Sequence, residues 1–155
     1  MSTKYFENDE VSHQITNILM KDATLTSSAL GELVGLSPSA ANERIRKLKN
    51  DGVIKRIVAF VDSGFMNMEL GAFIFVLLEG KDHNAAFLEQ VTAHPNVLEC
   101  HHMTGEYSYI LKVRIANTKA LESFITDFLK TQTAVVKTAT QIILSSPKDN
   151  SVVVD

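Results

Sequence analysis

The chain predicts an α+β protein in two units: an N-terminal winged-type helix-turn-helix head over residues 1–62, and a ferredoxin-like βαββαβ domain over residues 63–155. Three observations carry this reading. Apolar residues recur at helical spacing in three short blocks ahead of Gly52. A glycine turn divides the second block from the third. Beyond Leu70, extended apolar runs alternate with two helical stripes in the order of a four-stranded sheet carrying both helices on one face.

The first block contains Ile15, Ile18 and Leu19, and Ser12 is expected to cap it. The second follows Thr26, a suitable N-cap, with Leu30, Leu33 and Val34 at spacings of three and four. Gly31 then falls where two crossing helices need a residue without bulk, and Gly35 where the turn does. The third, Pro38 to Lys49, is marked at both ends. Ser37 suits the N-cap, Pro38 the first helical position where a missing N–H is no loss, and Asp51-Gly52 the C-terminal stop.

At roughly 100° per residue, Ala41, Ile45 and Leu48 share one side of this third helix, and Ser39, Asn42, Glu43 and Arg46 the other. Asn pairs with adenine, Arg with guanine, and Glu accepts from cytosine N4, so the outer row holds the side chains that major-groove reading requires. Arg44, Lys47 and Lys49 flank the row and are candidate phosphate contacts, and Ser37 at the helix start is a further candidate DNA contact. A solvated amphipathic helix would show the same two faces; the preceding helix and glycine turn favour a double-stranded DNA partner.

Composition narrows the alternatives. The chain has 155 residues, 45% of them apolar, which is typical of a globular domain and not of disorder. Its net charge of −3 argues against a generally sticky nucleic-acid binder. Positive charge is instead local: Arg44, Arg46, Lys47, Lys49, Lys55 and Arg56 face only Glu43 and Asp51 between Ser37 and Ile57. The longest apolar run, Ala72 to Leu78, is far short of the roughly 20 residues that span a bilayer. The first ten residues do not look like a secretion signal, and a lone Cys100 fits a reducing cytoplasm.

Features of an enzyme are missing: there is no phosphate loop, no nucleophile elbow and no paired-His zinc helix. His101 and His102, adjacent on an expected strand, point to opposite faces and do not chelate one metal. His13, His83 and His94 are scattered near helix ends and turns, and Cys100 reads as a small hydrophobe on a strand. No catalytic residue, metal or cofactor is expected.

After Gly52, Val53 to Asp62 reads as a β-rich connector, and Ser63 to Glu69 as a turn-rich junction. Strands are expected over Gly71–Leu78, Val97–Met103, Tyr107–Ile115 and Val135–Leu144. Asn84 is the expected cap of a helix through Phe87, Leu88 and Val91. Thr118 is the expected cap of one carrying Leu121, Phe124, Ile125, Phe128 and Leu129. Such a sheet leaves its other face open, so self-association is expected, and it would pair two heads on half-sites about one helical turn apart.

The chain resembles the Lrp/AsnC family of transcription regulators over nearly its whole length. The head is similar through Ile18-Leu19, Gly35-Leu36-Ser37-Pro38-Ser39, Arg44-Ile45, Lys47-Leu48 and Asp51-Gly52-Val53-Ile54, and the connector through Ala59 and Asp62. The second unit is similar through Gly71, Pro95-Asn96-Val97, Cys100 and Thr104-Gly105-Glu106-Tyr107. The resemblance implies a dimer, usually built into an octamer, that binds DNA through the head. It also implies that small amino acids are sensed at a cleft between dimers, near Thr104-Gly105-Glu106-Tyr107-Ser108.

Physical reasoning allows that placement, since a glycine turn offers N–H groups to a carboxylate and Tyr107 and Ser108 supply hydroxyls. A plain hairpin glycine and a strand aromatic would account for Gly105 and Tyr107 equally. The family commonly carries Asp where this chain has Ser108, and an acidic residue where it has Ala29. Lys49 stands where Glu is common and adds to the basic patch. Two other readings share parts of this pattern: an effector-independent, architectural DNA binder, and a small-molecule-binding module without DNA binding.

Overall fold

A computed structural model describes residues 10–79 and 84–148, which fall into two compact units meeting at Ala59 and Phe60. The first holds three helices: α1 (Glu10–Lys21), α2 (Ser27–Val34) and α3 (Pro38–Asn50). Their apolar stripes converge on Ile15, Leu30 and Leu48, with Val11, Ile18, Leu19, Val34, Leu36, Ile45 and Ile54 packed around them. Thr26 and Ser37 cap α2 and α3 as their side chains require, accepting from the backbone N–H of Ala29 and Ala40 at 3.2 Å each.

The glycines do different work. Gly35 turns the chain between α2 and α3 at φ +71°. Gly31 lets the chain pass close: a Cβ there would stand 2.5 Å from the Leu36 carbonyl oxygen. Gly52, at φ +74°, reverses the chain after α3 so that the N–H groups of Val53 and Ile54 both donate to the Leu48 carbonyl. Ile54 is thereby folded onto the helical core.

Two expectations for this unit fail. Ser12 is not a cap; it lies buried inside α1, and Thr16 Oγ1 donates to its carbonyl. The connector 53–62 forms no strand, because no strand within the described residues offers it ladder partners, and β-branched side chains alone do not hold an extended chain. Val58, Phe60 and Val61 are exposed along it. The junction does turn as expected: Asp62 Oδ1 accepts from Phe65 N–H at 2.8 Å, and Asn67 sits at φ +55°.

The second unit is a four-stranded antiparallel sheet of β1 (Leu70–Leu78), β2 (Val97–His102), β3 (Tyr109–Ile115) and β4 (Val135–Ile143) in the order β2-β3-β1-β4. Central β1 pairs with β3 from Leu70↔Ile115 to Val76↔Tyr109, and with β4 from Gly71↔Ile143 to Leu78↔Val135. Two helices complete it: α4 (Asn84–Ala93), and α5 (Thr118–Ser123), which continues as a π-helical turn over Phe124–Leu129. Alternate strand residues Ala72, Ile74, Val76, Leu111 and Val113 pack with Phe87 and Val91 of α4 and with Leu121, Phe124 and Leu129. Both helices therefore cover one face, in the ferredoxin-like arrangement.

Helix starts moved by one residue. Asn117, not Thr118, caps α5 by accepting from Ala120 N–H at 3.0 Å, and Thr118 is the first helical residue. Asn84 likewise lies within α4 instead of capping it, so the cap position falls outside the described residues, as does His83. At α5 two adjacent polar side chains, Asn117 and Thr118, compete for the cap, which spacing alone does not resolve. His94 ends α4 with its ring 4.5 Å from that of Phe128 and 4.9 Å from that of Phe124.

Candidate DNA interface and sensor turn

Helix α3 presents two chemically distinct sides. Ala41 and Leu48 are buried and Ile45 packs on the core, while Ser39, Asn42, Glu43 and Arg46 are exposed along the opposite side. Thirteen residues make a rod about 20 Å long, suited to the major groove. Lys47 and Lys49 are exposed beside this row, in the last turn, where they also complement the helix dipole. Arg44 is only half exposed and turns toward α1, its Nη1 3.5 Å from Ser12 Oγ. Ser37 stays at the helix start, its hydroxyl engaged by Ala40 N–H and 3.1 Å from that of Ser39.

Spacing did not anticipate one contact. Arg46 Nη2 donates to both carboxylate oxygens of Glu43, at 2.7 and 2.8 Å. This hydrogen bond, with the nearby negative charge, holds the guanidinium pKa above its ordinary value. The i,i+3 spacing is visible in the sequence, but spacing alone does not tell a paired Glu and Arg from two side chains that contact bases separately.

In the second unit, residues 104–106 form a bend with Gly105 at φ +117°, a conformation that excludes most other residues. Two side chains of the turn reach the sheet face not covered by helices. Glu106 accepts from Lys137 Nζ on β4 at 2.7 Å, and the Tyr107 ring lies 5.6 Å from that of Phe75 on β1. Lys137 Nζ also sits 5.4 Å from the centre of the Tyr107 ring. The bond to Glu106, then that to Tyr107, raises the Lys137 pKa. Lys137 and Phe75 were missed because only a strand register, not chain proximity, brings them to the turn.

Ser108 departs from expectation. Its N–H donates to the Val76 carbonyl at 2.9 Å, and its hydroxyl accepts from Leu78 N–H at 3.2 Å. It thus prolongs the β1–β3 pairing, and β3 begins at Tyr109 where a start at Tyr107 was expected. Thr104 is exposed in the bend.

The histidines separate as their alternation on β2 predicts. His101 lies 3.1 Å from Glu99 Oε2, which lowers the Glu99 pKa, whereas the His102 ring packs 4.9 Å from that of Tyr109. Cys100 is half-buried against the core, and burial raises its thiol pKa. Among the described residues, no three His, Cys, Asp or Glu side chains gather as a metal site, and no helix is long and apolar enough to cross a membrane.

Comparison with known proteins assigns both units. Residues 8–55 match the winged helix-turn-helix DNA-binding family, and residues 71–153 the Lrp/AsnC ligand binding domain. The chain is 40% identical over 138 residues to YezC of Bacillus subtilis, an uncharacterized HTH-type transcriptional regulator, covering 89% of this chain and 94% of that one. It is 31% identical to the transcriptional regulator AzlB of the same organism, over 90% of each chain. Among solved structures, a Neisseria meningitidis transcriptional regulator in complex with L-Met superposes with a TM-score of 0.86 at 29% identity, over 94% of this chain and 95% of that one. Escherichia coli AsnC does so with a TM-score of 0.83 at 26% identity, over 95% and 99%. With a helix-turn-helix DNA-binding unit and an Lrp/AsnC ligand-binding domain both matched, this chain belongs to the Lrp/AsnC family of DNA-binding transcriptional regulators, not to a family of enzymes.

Proposed function

We propose that Ser39, Asn42, Glu43 and Arg46 read base edges in the major groove, that Ser37, Arg44, Lys47 and Lys49 hold phosphates, and that a small amino acid bound at Thr104–Ser108 governs which half-sites are engaged. The observation that carries the effector reading is the Glu106–Lys137 pair beside Gly105, walled by Tyr107 and Phe75. A zwitterion has the complementary charges: its carboxylate replaces Glu106 on Lys137 and its ammonium replaces Lys137 on Glu106, while Tyr107 and Phe75 offer an apolar surface to its side chain. Glu106 thus takes the role left open by a serine at position 108. The L-Met complex of the Neisseria relative supports the ligand class.

The protein acts as a cytoplasmic, prokaryotic regulator, as a dimer that assembles toward an octamer and with no cofactor beyond the effector. The half-buried Phe73, Phe75 and Ile110 on the uncovered sheet face support self-association. Effector binding at the turn shifts the assembly or the placement of the heads, so DNA and effector alter each other's affinity.

An amino-acid panel read by thermal shift, paired with a footprint on the protein's own promoter region, tests this. The effector at about 100 times its Kd stabilises by about 2.7 kcal/mol and changes oligomer mass or DNA affinity. If no amino acid shifts the melting temperature while DNA binding persists, the effector-independent, architectural reading replaces this one.

A further inference from the structure

The Glu43–Arg46 contact joins two side chains on the DNA-facing row. Both are largely exposed, 66% and 69%, so nothing in the core forces them together. Arg46 engages Glu43 through Nη2, the nitrogen shared by the two edges, Nη1/Nη2 and Nε/Nη2, on which a guanidinium makes a two-pronged contact. Glu43 therefore occupies the donor that either a guanine or a phosphate would take.

The two alternatives to that pairing are unequal. If Arg46 turns to a phosphate, Glu43 is left as an unneutralised carboxylate facing a polyanion. A G·C pair is different, because guanine O6 and N7 accept from the guanidinium while cytosine N4–H donates to the carboxylate. Both members of the pair then have partners at neighbouring positions in one groove.

Building on the assignment of this row to the major groove, we propose that Glu43 is a positioning residue that withholds Arg46 from phosphates on DNA lacking a G·C pair, and yields it where guanine and cytosine edges are offered together. The ion pair is then a discriminator: it suppresses non-cognate binding more than it strengthens cognate binding.

The test compares the full-length wild type with Glu43→Gln, Arg46→Ala and the double variant. Binding to a duplex containing only A·T pairs is measured by fluorescence anisotropy across a salt series, and each protein also selects sites from a random-sequence duplex pool. Glu43→Gln is expected to tighten binding to the A·T duplex about threefold to tenfold and to steepen the log–log salt slope by about 0.9 per head, as one phosphate contact is gained. Its selected sites are expected to lose their G·C preference at one position. In the Arg46→Ala background the same substitution is expected to change affinity by less than about twofold and leave the slope unchanged. Tightening of equal size with and without Arg46 overturns the proposal in favour of simple charge repulsion, and no tightening overturns it outright. A wild type that binds no duplex at all overturns the major-groove assignment beneath it.

Discussion

Replacing Gly31 by alanine tests the packing that aims α3. A Cβ at Gly31 would meet the Leu36 carbonyl oxygen at 2.5 Å and the carbonyl carbons of Leu36 and Ser37 at 3.4 Å. These are backbone atoms of the turn into α3, so no side-chain rotation relieves the clash. Leu36 N–H also donates to the Gly31 carbonyl at 2.8 Å, and moving the turn away strains that bond. Overpacking costs about 1–3 kcal/mol and a weakened buried hydrogen bond about 1. The better helix propensity of alanine offsets about 1. The head is therefore destabilised by about 1–3 kcal/mol, which raises its opening equilibrium about 5-fold to 150-fold. Hydrogen-exchange mass spectrometry on peptides from residues 27–50 reads this directly, with exposed Glu32→Ala as the neighbour that changes little. Unchanged or slower exchange in Gly31→Ala would refute the reasoning that backbone proximity at this crossing sets the placement of α3.

Other substitutions separate the roles assigned above. Arg46→Ala should relax base preference at one position, costing about 1–3 kcal/mol on the selected site, whereas Lys47→Ala should weaken every sequence alike and reduce the salt slope by about 1; equal losses from both would contradict the division of faces. Lys137→Met should weaken effector binding about tenfold or more by calorimetry, while the melting temperature of the ligand-free protein stays close to that of the wild type, because the pair with Glu106 is exposed. His94 gives a pH dependence. Burial lowers its pKa from the ordinary 6.5, and Nδ1 already accepts from Asn96 N–H at 3.2 Å, so the folded chain favours the neutral ring. Its contribution is fully present above the unfolded-state pKa and lost as pH falls below it. His94→Gln should therefore flatten the drop in melting temperature between about pH 6.5 and 5, and a drop as steep as in wild type would rule the residue out as its source.

Helical elements were legible where side chains act on their own backbone. Thr26, Ser37, Pro38, Gly35 and Gly52 each do so within a few residues, and each sits where spacing placed it. The four strands were legible because short apolar runs such as Ala72–Leu78 are too short for a buried helix, and in the structure this one lies between β3 and β4 with alternate residues buried under the helices. Caps were misread where two polar side chains compete, as at Asn117 and Thr118. The connector 53–62 was misread because strand propensity is a preference that becomes structure only with a paired strand.

The amino-acid order alone determined that a helix from Pro38 to Lys49 would bury Ala41 and Leu48 and expose Ser39, Asn42, Glu43 and Arg46, since helical period and local caps are properties of neighbours along the chain. It likewise determined that a glycine bend would precede Tyr107. Tertiary structure alone decided that Lys137 and Phe75 meet that bend, and that the Ser108 hydroxyl accepts from Leu78 N–H and ties β1 to β3. Those contacts depend on the register of β1 against β3 and β4. A shift of one residue would turn every one of these side chains to the opposite face, and no local signal reports it.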